Sequence, residues 1–178
     1  MDRSSLIQEI KSYQTRFSEE AKFTAPFLDL LNQERCFHRD HLPGHITGSA
    51  WIVNKDRTKV LLVHHAKLNR WLQPGGHADG EEDVLNVALR ESDEETGVKN
   101  FNVLQKTIFD LDIHTIPARK DFPQHEHYDI RFLIEANDHD EVVVSEESHD
   151  VKWIPLKDLA TYNDEASILR LREKLTLN

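Results

Sequence analysis

The sequence has only one cysteine, Cys36, among its 178 residues. A single thiol cannot form a disulfide within the chain, so we expect a fold stabilised by its core in a reducing compartment, the cytoplasm. No apolar run approaches the ~20 residues of a membrane span, and the charged N-terminus lacks the apolar region of a signal peptide. These absences predict a cytoplasmic protein that has no membrane partner.

Positive charge is also scarce. The 22 lysines and arginines are outnumbered by 32 aspartates and glutamates, which gives a formal net charge of -10. A chain with this excess of acid repels a nucleic-acid backbone, so nucleic acid is not expected as its main partner. A small phosphorylated substrate remains compatible with the charge, because a bound divalent cation reverses the sign of the local field.

The hydrophobic pattern predicts alternating helices and strands. Apolar residues recur at helical intervals over 4–34, and we expect an N-terminal helical extension, 1–40, packed on a main domain, 41–178. Helical spacing returns near the C-terminus, with a break near Asn163. Such alternation is typical of an α/β layered domain. The predicted strands lie at 46–54, 59–65, within 101–116, at 127–136 and at 151–155, and the first two are expected to pair as a hairpin.

A cluster of carboxylates is the most informative feature of the chain. The segment from Gly76 to Val98 reads GHADGEEDVLNVALRESDEETGV. Glu91, Glu94 and Glu95 stand at i, i+3 and i+4, so a helix places them on one face, where like charges repel. A cation between them would relieve the repulsion, and oxygen ligands favour Mg2+ over Zn2+. The alternative is a solvated acidic helix that binds nothing.

The ends of this helix are also predicted from the sequence. Asp79 and Gly80 offer a capping and turning start, and the acids at 81–83 suit the positive end of the helix dipole. Gly97 is placed to end the helix in a left-handed conformation. Arg90 precedes Glu94 by four residues and is expected to brace that carboxylate.

The segment resembles the Nudix box, G-x5-E-x7-R-E-U-x-E-E-x-G-U, in which U is a bulky aliphatic residue. Ser92 departs from the pattern at an aliphatic position that packs and does no chemistry. The resemblance implies a Nudix-like α/β/α sandwich with a mixed β-sheet, to which the N-terminal helices are an addition. The fixed positions of the box are filled by Gly76, Glu82, Arg90, Glu91, Glu94, Glu95, Gly97 and Val98.

The resemblance also implies an activity. Such enzymes hydrolyse a nucleoside diphosphate linked to another moiety X, for example ADP-ribose or a nucleotide sugar, with Mg2+ or alternatively Mn2+. The implied roles are as follows: Glu91 and Glu95 as principal metal ligands, Glu94 as a further ligand or general base, Arg90 as the residue that orients the cluster, Glu82 as an accessory ligand, and the carbonyl of Gly75 as a backbone ligand. A glycine at position 75 suits close backbone approach.

Several residues outside the box are further candidates. Family members often carry a catalytic glutamate in a loop near Trp153, where this chain has Glu146 and Glu147, and we favour Glu147; ordinary loop acids are the alternative. His125, His127 and Asp129 alternate and share a strand face, so they either line the cleft, bind a metal softer than Mg2+, or form a plain polar face. Seven further residues either contact the substrate or only pack, and the sequence does not decide between the two: Trp71, Gln73, His77, His38, Arg39, His41 and His45.

Two other functions are alternatives to hydrolysis. A nucleotide-binding sensor without catalysis would be expected to lose glutamates of the box, and none is missing. An isopentenyl-diphosphate isomerase shares the fold and a metal site, but it places a cysteine beside the turn where this chain has Gly75 and Gly76. The identity of X, the nucleobase and a homodimeric assembly are left open by the sequence.

Overall fold

The computed structural model describes residues 2–120 and 122–176, and its mixed β-sheet lies between two layers of helices. The helices are α1 (Arg3–Ser12), α2 (Ser18–Ala21), α3 (Thr24–Leu31), α4 (Val84–Thr96), α5 (Leu159–Tyr162) and α6 (Ala166–Leu175). The strands are β1 (Gly44–Val53), β2 (Lys59–His65), β3 (Arg70–Leu72), β4 (Gly75–His77), β5 (Asn102–Val103), β6 (Asp110–Ile116), β7 (His125–Glu135) and β8 (Ser148–Pro155). The predicted α/β/α sandwich is confirmed.

Strand β1 is the centre of the sheet. It runs parallel to β7 along its whole length, and it pairs antiparallel with β2 and β4 on its other side. The predicted hairpin between the first two long strands is confirmed by the pairs Ile52–Leu61 and Val53–Val60. Strand β2 also pairs with β3 and β8, and strand β7 also pairs with β5 and β6; all four of these pairings are antiparallel. Both parallel and antiparallel neighbours therefore meet at β1.

The two faces of the sheet bury separate apolar clusters. Helices α1, α3 and α4 cover one face, where Phe27 and Phe132 are fully buried. Helices α5 and α6 cover the other face, where Leu171 of α6 is buried in the same cluster as Trp51 of β1. Burying each such side chain contributes roughly 1.5–3 kcal/mol. The N-terminal helices thus share a core with α4.

A network of buried charges lies within the sheet. Arg131 is 2% exposed, and its guanidinium contacts the carboxylates of Asp110, Asp112 and Asp129 at 2.9–3.3 Å. Arg170 of α6 binds Asp110 through two hydrogen bonds of 2.8 Å. Paired charges avoid the large cost of burying an isolated ion. Both faces of β7 are therefore buried: one is apolar, and the other holds charged side chains that neutralise one another.

The start of α4 differs from the prediction. The helix begins at Val84, and its cap is Asp83, whose side chain accepts a hydrogen bond from the backbone N–H of Asn86 at 3.3 Å. Asp79 and Gly80 have φ of 50° and 93°, so they form a left-handed turn before the helix and not its cap. Gly97, with φ of 72°, ends the helix as predicted.

The short strands on either side of Pro74 were not predicted, because three-residue strands carry too little alternation to be recognised. The remaining differences are shifts of boundaries: region 101–116 divides into β5 and β6, and the predicted break near Asn163 separates α5 from α6. Among the described residues, no helix is both long and apolar enough to cross a membrane.

Candidate active site

Helix α4 presents its three clustered glutamates at graded depth. Glu95 is 7% exposed, whereas the side chains of Glu91 and Glu94 are 17% and 59% exposed. The gradient arises because Val84 and Val87 pack against the sheet and place Glu95 at the margin of the buried stripe. All three glutamates line one cleft, as the helical spacing predicted.

Glu95 is a buried carboxylate surrounded by other carboxylates. The backbone N–H of Gly75 donates to its Oε2 at 2.9 Å. Burial raises the pKa of Glu95 to about 8; the hydrogen bond from Gly75 opposes this rise, and the charges of Glu91, Glu147 and Glu94 add to it. An anionic Glu95 is therefore unfavourable in the protein alone, and a cation beside it would remove the penalty. The donor set fits a hard divalent ion.

Arg90 joins the glutamates to the strand in front of them. Its Nη1 donates to Glu91 at 2.7 Å and to Glu94 at 3.4 Å, and its Nη2 donates to the carbonyl of His77 at 3.2 Å. Burial raises the pKa of Glu91 despite the opposing charge of Arg90. The sequence predicted Glu94 as the partner of Arg90, but the shorter contact is with Glu91, and Arg90 orients that carboxylate most directly.

Two glycines of β4 allow the backbone to approach closely. A Cβ built on Gly75 would lie 2.3 Å from the Cβ of Ser49, so only glycine fits against β1 there. A Cβ built on Gly76 would lie 2.4 Å from the carboxylate carbon of Glu91. Gly76 thus leaves the space that the Glu91 carboxylate occupies at the edge of the cleft.

The cleft itself has a volume of about 1050 Å³. Pockets for small molecules typically measure roughly 300–1,000 Å³, so the space suffices for a nucleotide. Cationic side chains also line the cleft. They include Arg39, Lys67, Arg70 and Arg119.

The loop acids and the predicted accessory ligand occupy different places. Glu147 lines the cleft, and its carboxylate lies 3.8 Å from the Nζ of Lys67. Neither Glu146 nor Glu82 is among the described residues that line the cleft. Glu82 instead pairs with the Nε of Arg3 at 3.0 Å, which links the loop before α4 to α1. Glu82 therefore contacts helix α1 and not the cleft.

Five histidines gather at one end of the cleft. His45, His77 and His127 each place a ring nitrogen within 4.8 Å of the others, and the rings of His114 and His125 lie 5.4 and 5.2 Å from that of His127. The sequence grouped His125 and His127 with Asp129 on one face. These three residues do line the cleft together. The contact of His127 with His45 was not predicted, because no local sequence pattern indicates that β1 and β7 pair in parallel. Asp129 also accepts hydrogen bonds from Thr47, Ser49 and Gln73.

The other candidate contacts divide between the cleft and the packed interior. Arg39 lines the cleft, where its Nε donates to Asp79 at 2.6 Å. Trp71 is outside the described lining of the cleft and stacks on His64 with ring centroids 4.9 Å apart. The Nδ1 of His41 donates to the carbonyl oxygen of Gly44 at 2.6 Å, because a carbonyl oxygen can only accept, and this contact supports the start of β1.

Comparison with known proteins identifies similar sequences and folds. A family model described as "NUDIX domain" matches residues 43–172. The chain is 34% identical over 107 residues to a bis(5'-nucleosyl)-tetraphosphatase (asymmetrical) of Caenorhabditis elegans, which covers 57% of this chain and 72% of that protein. It is 30% identical over 95 residues to a probable DHNTP pyrophosphohydrolase of Lactococcus lactis, with 52% of this chain and 55% of that protein covered. The chain thus spans little more than half the length of the latter relative. Among solved structures, a NUDIX-family hydrolase from Clostridium perfringens has a TM-score of 0.56 and 28% identity, over 75% of this chain and 97% of that chain.

Proposed function

This chain belongs to the NUDIX domain family, and we propose that it is a Mg2+-dependent hydrolase that cleaves a phosphoanhydride bond of a small nucleoside diphosphate derivative. The observation that carries the proposal is the environment of Glu95. This carboxylate is buried, its pKa is raised to about 8, and three further acids surround it at the edge of a nucleotide-sized cleft. A cation bound beside Glu95 would remove the penalty for its anionic form, which supports the proposal.

The residues that would hold the metal are Glu91, Glu94, Glu95 and the carbonyl of Gly75. The space that Gly76 leaves for the Glu91 carboxylate supports this assignment, as does the all-oxygen donor set. When bound, Mg2+ would polarise a phosphoryl oxygen, acidify water and neutralise the leaving diphosphate. Glu82 is the weaker candidate, because Arg3 already neutralises its charge.

The chain's own residues supply the remaining requirements. Arg90 orients Glu91 through its hydrogen bond and ties it to β4. Cationic groups such as Arg39 and Lys67 would bind the phosphates that are not attacked. Glu147 stands over the cleft and would accept the proton of the attacking water, with Glu94 as the alternative acceptor.

The relatives suggest which derivatives to test first. Their names specify a dinucleoside tetraphosphate and a pterin triphosphate, whereas the sequence motif leaves X open, with ADP-ribose and nucleotide sugars as examples. A cleft of about 1050 Å³ accommodates either kind. We therefore include all four in one panel.

Hydrolysis in H2-18O tests this function. The metal-free protein is supplied with Mg2+ or Mn2+ and with each substrate, and the products are analysed by mass spectrometry. We expect 18O in a phosphate product, and we expect EDTA to abolish its formation. Undiminished activity after chelation would overturn the role of the metal.

Two outcomes of the same experiment identify the other functions. Tight nucleotide binding without any labelled product across the panel would favour the sensor. An allylic diphosphate that is rearranged without label would favour the isomerase, although the chain's one thiol, that of Cys36, is fully buried in the core.

A further inference from the structure

We propose that His45, His77 and His127 form a second metal site, separate from the glutamates of α4, that takes a first-row transition ion of the Zn2+ class. One ring nitrogen of each histidine lies within 4.8 Å of those of the other two. The three residues stand on three paired strands, β1, β4 and β7, of which β1 is central. The site therefore rests on the most regular part of the sheet.

The register of the strands explains why the rings meet. His45 is the parallel partner of His127, and His77 is the antiparallel partner of Thr47, two residues along β1 from His45. Side chains two residues apart on a strand point to the same face. All three imidazoles consequently converge on one side of the sheet, at the end of the cleft.

Two of the ring nitrogens are buried without a hydrogen-bond partner in the described part of the chain. They are the Nε2 atoms of His45 and His127. His45 itself is 1% exposed. Buried polar atoms are normally paired, so two unpaired nitrogens on rings of the same cluster point to a ligand that these rings would share.

A hydrogen bond to the backbone of His41 fixes the tautomer of His45 that can bind a metal through Nε2. Its Nδ1 lies 3.3 Å from the carbonyl oxygen of His41, a contact that requires the proton on Nδ1. The Nε2 atom, which has no hydrogen-bond partner among the described residues, then keeps a lone pair with which it can bind an ion. A backbone carbonyl behind the ring is the usual arrangement for a metal-binding histidine.

Burial also suits metal binding, because it favours the neutral form of an imidazole, and the neutral ring is the form that binds a metal.

Three imidazoles select the class of ion. Nitrogen ligands suit Zn2+, Ni2+ or Cu2+ and not Mg2+, which prefers oxygen. Zn–N bonds of ~2.0–2.1 Å place tetrahedral nitrogens about 3.4 Å apart, so the rings would close slightly around the ion. His77 and His127 also line the cleft, so the ion would be reached from the side on which substrate binds.

Titration of the tag-free, metal-free full chain with Co2+ tests the site independently of catalysis. We expect one equivalent to bind with intense visible absorption bands, Zn2+ to displace it, and Mg2+ to leave it in place. His127→Gln and His45→Gln should each weaken Co2+ binding at least about 100-fold, since even the loss of a group supporting a ligand costs 10–100-fold. His139→Gln, an exposed histidine in a loop, is the matched control and should bind as the wild type does.

Glu95→Gln separates the two metal sites, because it should leave the Co2+ spectrum unchanged. Circular dichroism establishes that each variant is folded; if His45→Gln does not fold, His77→Gln, at a less buried position, takes its place. The proposal is overturned if the wild type shows no stoichiometric Co2+ binding, if folded histidine variants bind as tightly as the wild type, or if Glu95→Gln removes the spectrum.

Discussion

Gly76 and Glu91 depend on each other for space: a Cβ on Gly76 would lie 2.4 Å from the carboxylate carbon of Glu91 and equally close to one of its oxygens. The carboxylate is held there by Arg90 at 2.7 Å. The first glycine of the box thus determines where a proposed metal ligand can stand. Its role is steric, because no positive φ requires glycine at this position.

Gly76→Ala should therefore reduce activity more than stability. The methyl group meets the far end of a flexible side chain, which can move aside without disturbing the sheet. A displacement of about 1 Å at a reacting centre can cost roughly 100-fold in rate, so we expect a loss of that order in kcat with Mg2+. Steady-state kinetics and urea unfolding measure the two effects.

Gly75→Ala is the matched comparison. Its methyl group would meet the Cβ and Cα of Ser49 at 2.3 and 2.7 Å, where the backbone of β1 cannot yield. Overpacking of this kind costs typically ~1–3 kcal/mol in the free energy of unfolding. If Gly76→Ala retains full turnover, the position of Glu91 is not required for the reaction.

Glu95→Gln tests the deepest of the proposed ligands. The substitution keeps the shape of the side chain and removes its charge, and we expect a loss of order 10^2 or more in turnover. The metal-free protein should be at least as stable as the wild type, because glutamine removes the penalty that burial imposes on the carboxyl group of Glu95. Turnover is measured at saturating Mg2+, and stability by thermal unfolding in EDTA. The exposed Glu141→Gln serves as a control, and wild-type turnover in Glu95→Gln would contradict a ligand role.

Local patterns in the sequence predicted the site helix because its evidence lies within a few turns. The spacing of Glu91 and Glu95 and the position of Gly97 follow from helical periodicity alone. The cap was misassigned to Asp79, because both Asp79 and Asp83 are acceptable capping residues and only the observed φ distinguishes them. The contact of Arg90 with Glu94 follows from the i, i+4 rule and is confirmed, but its shorter contact with Glu91 was not predicted, because that rule ignores an adjacent carboxylate that a long side chain also reaches.

Long-range pairing could not be predicted from the same patterns. That His45 lies opposite His127 depends on a parallel register between β1 and β7, which are separated by most of the domain. The buried partner of Arg131 on β6, Asp110, likewise lies on another strand. Alternation indicates which residues share a face, but it does not indicate which strands are neighbours.

Glu20→Gln should destabilise the fold strongly, since Glu20 connects the N-terminal helices to α6. Glu20 is fully buried, and its carboxylate accepts hydrogen bonds from Tyr13, Thr15 and Lys174, each at 2.5 Å. Removing one partner of a buried ion pair costs about 3–5 kcal/mol. Glu19→Gln is the control, because its exposed pair with Lys22 contributes only ~0.2–1 kcal/mol. Equal urea midpoints for the two variants would contradict this role.

The contribution of Glu20 should also depend on pH. Burial acts to raise its pKa, but the hydrogen bonds from Lys174, Thr15 and Tyr13 outweigh burial and lower it. A lowered folded-state pKa gives stability that is present above the unfolded-state pKa, about 4.3 for a glutamate, and is lost as the pH falls through the folded-state value. The difference in unfolding free energy between wild type and Glu20→Gln should therefore be largest near neutral pH and shrink below about pH 4.3. A difference that grows on acidification would have the wrong sign.

Glu147→Gln and Glu146→Gln should differ although the two residues are neighbours. Glu147 lines the cleft and its charge acts on Glu95, whereas Glu146 is outside the described lining. A residue that only accepts a proton affects the chemical step more than binding, so Glu147→Gln should lower kcat by about 10^2–10^4 with little change in KM. Glu146→Gln should retain both constants, which controls for the loss of a negative charge in this loop. Both are measured by steady-state kinetics on the substrate that the labelling panel identifies. Normal kcat in both variants would instead indicate Glu94, the most exposed glutamate of the cluster, as the proton acceptor. Substitution of Glu94 would then stop turnover while Arg90 keeps its contact with Glu91.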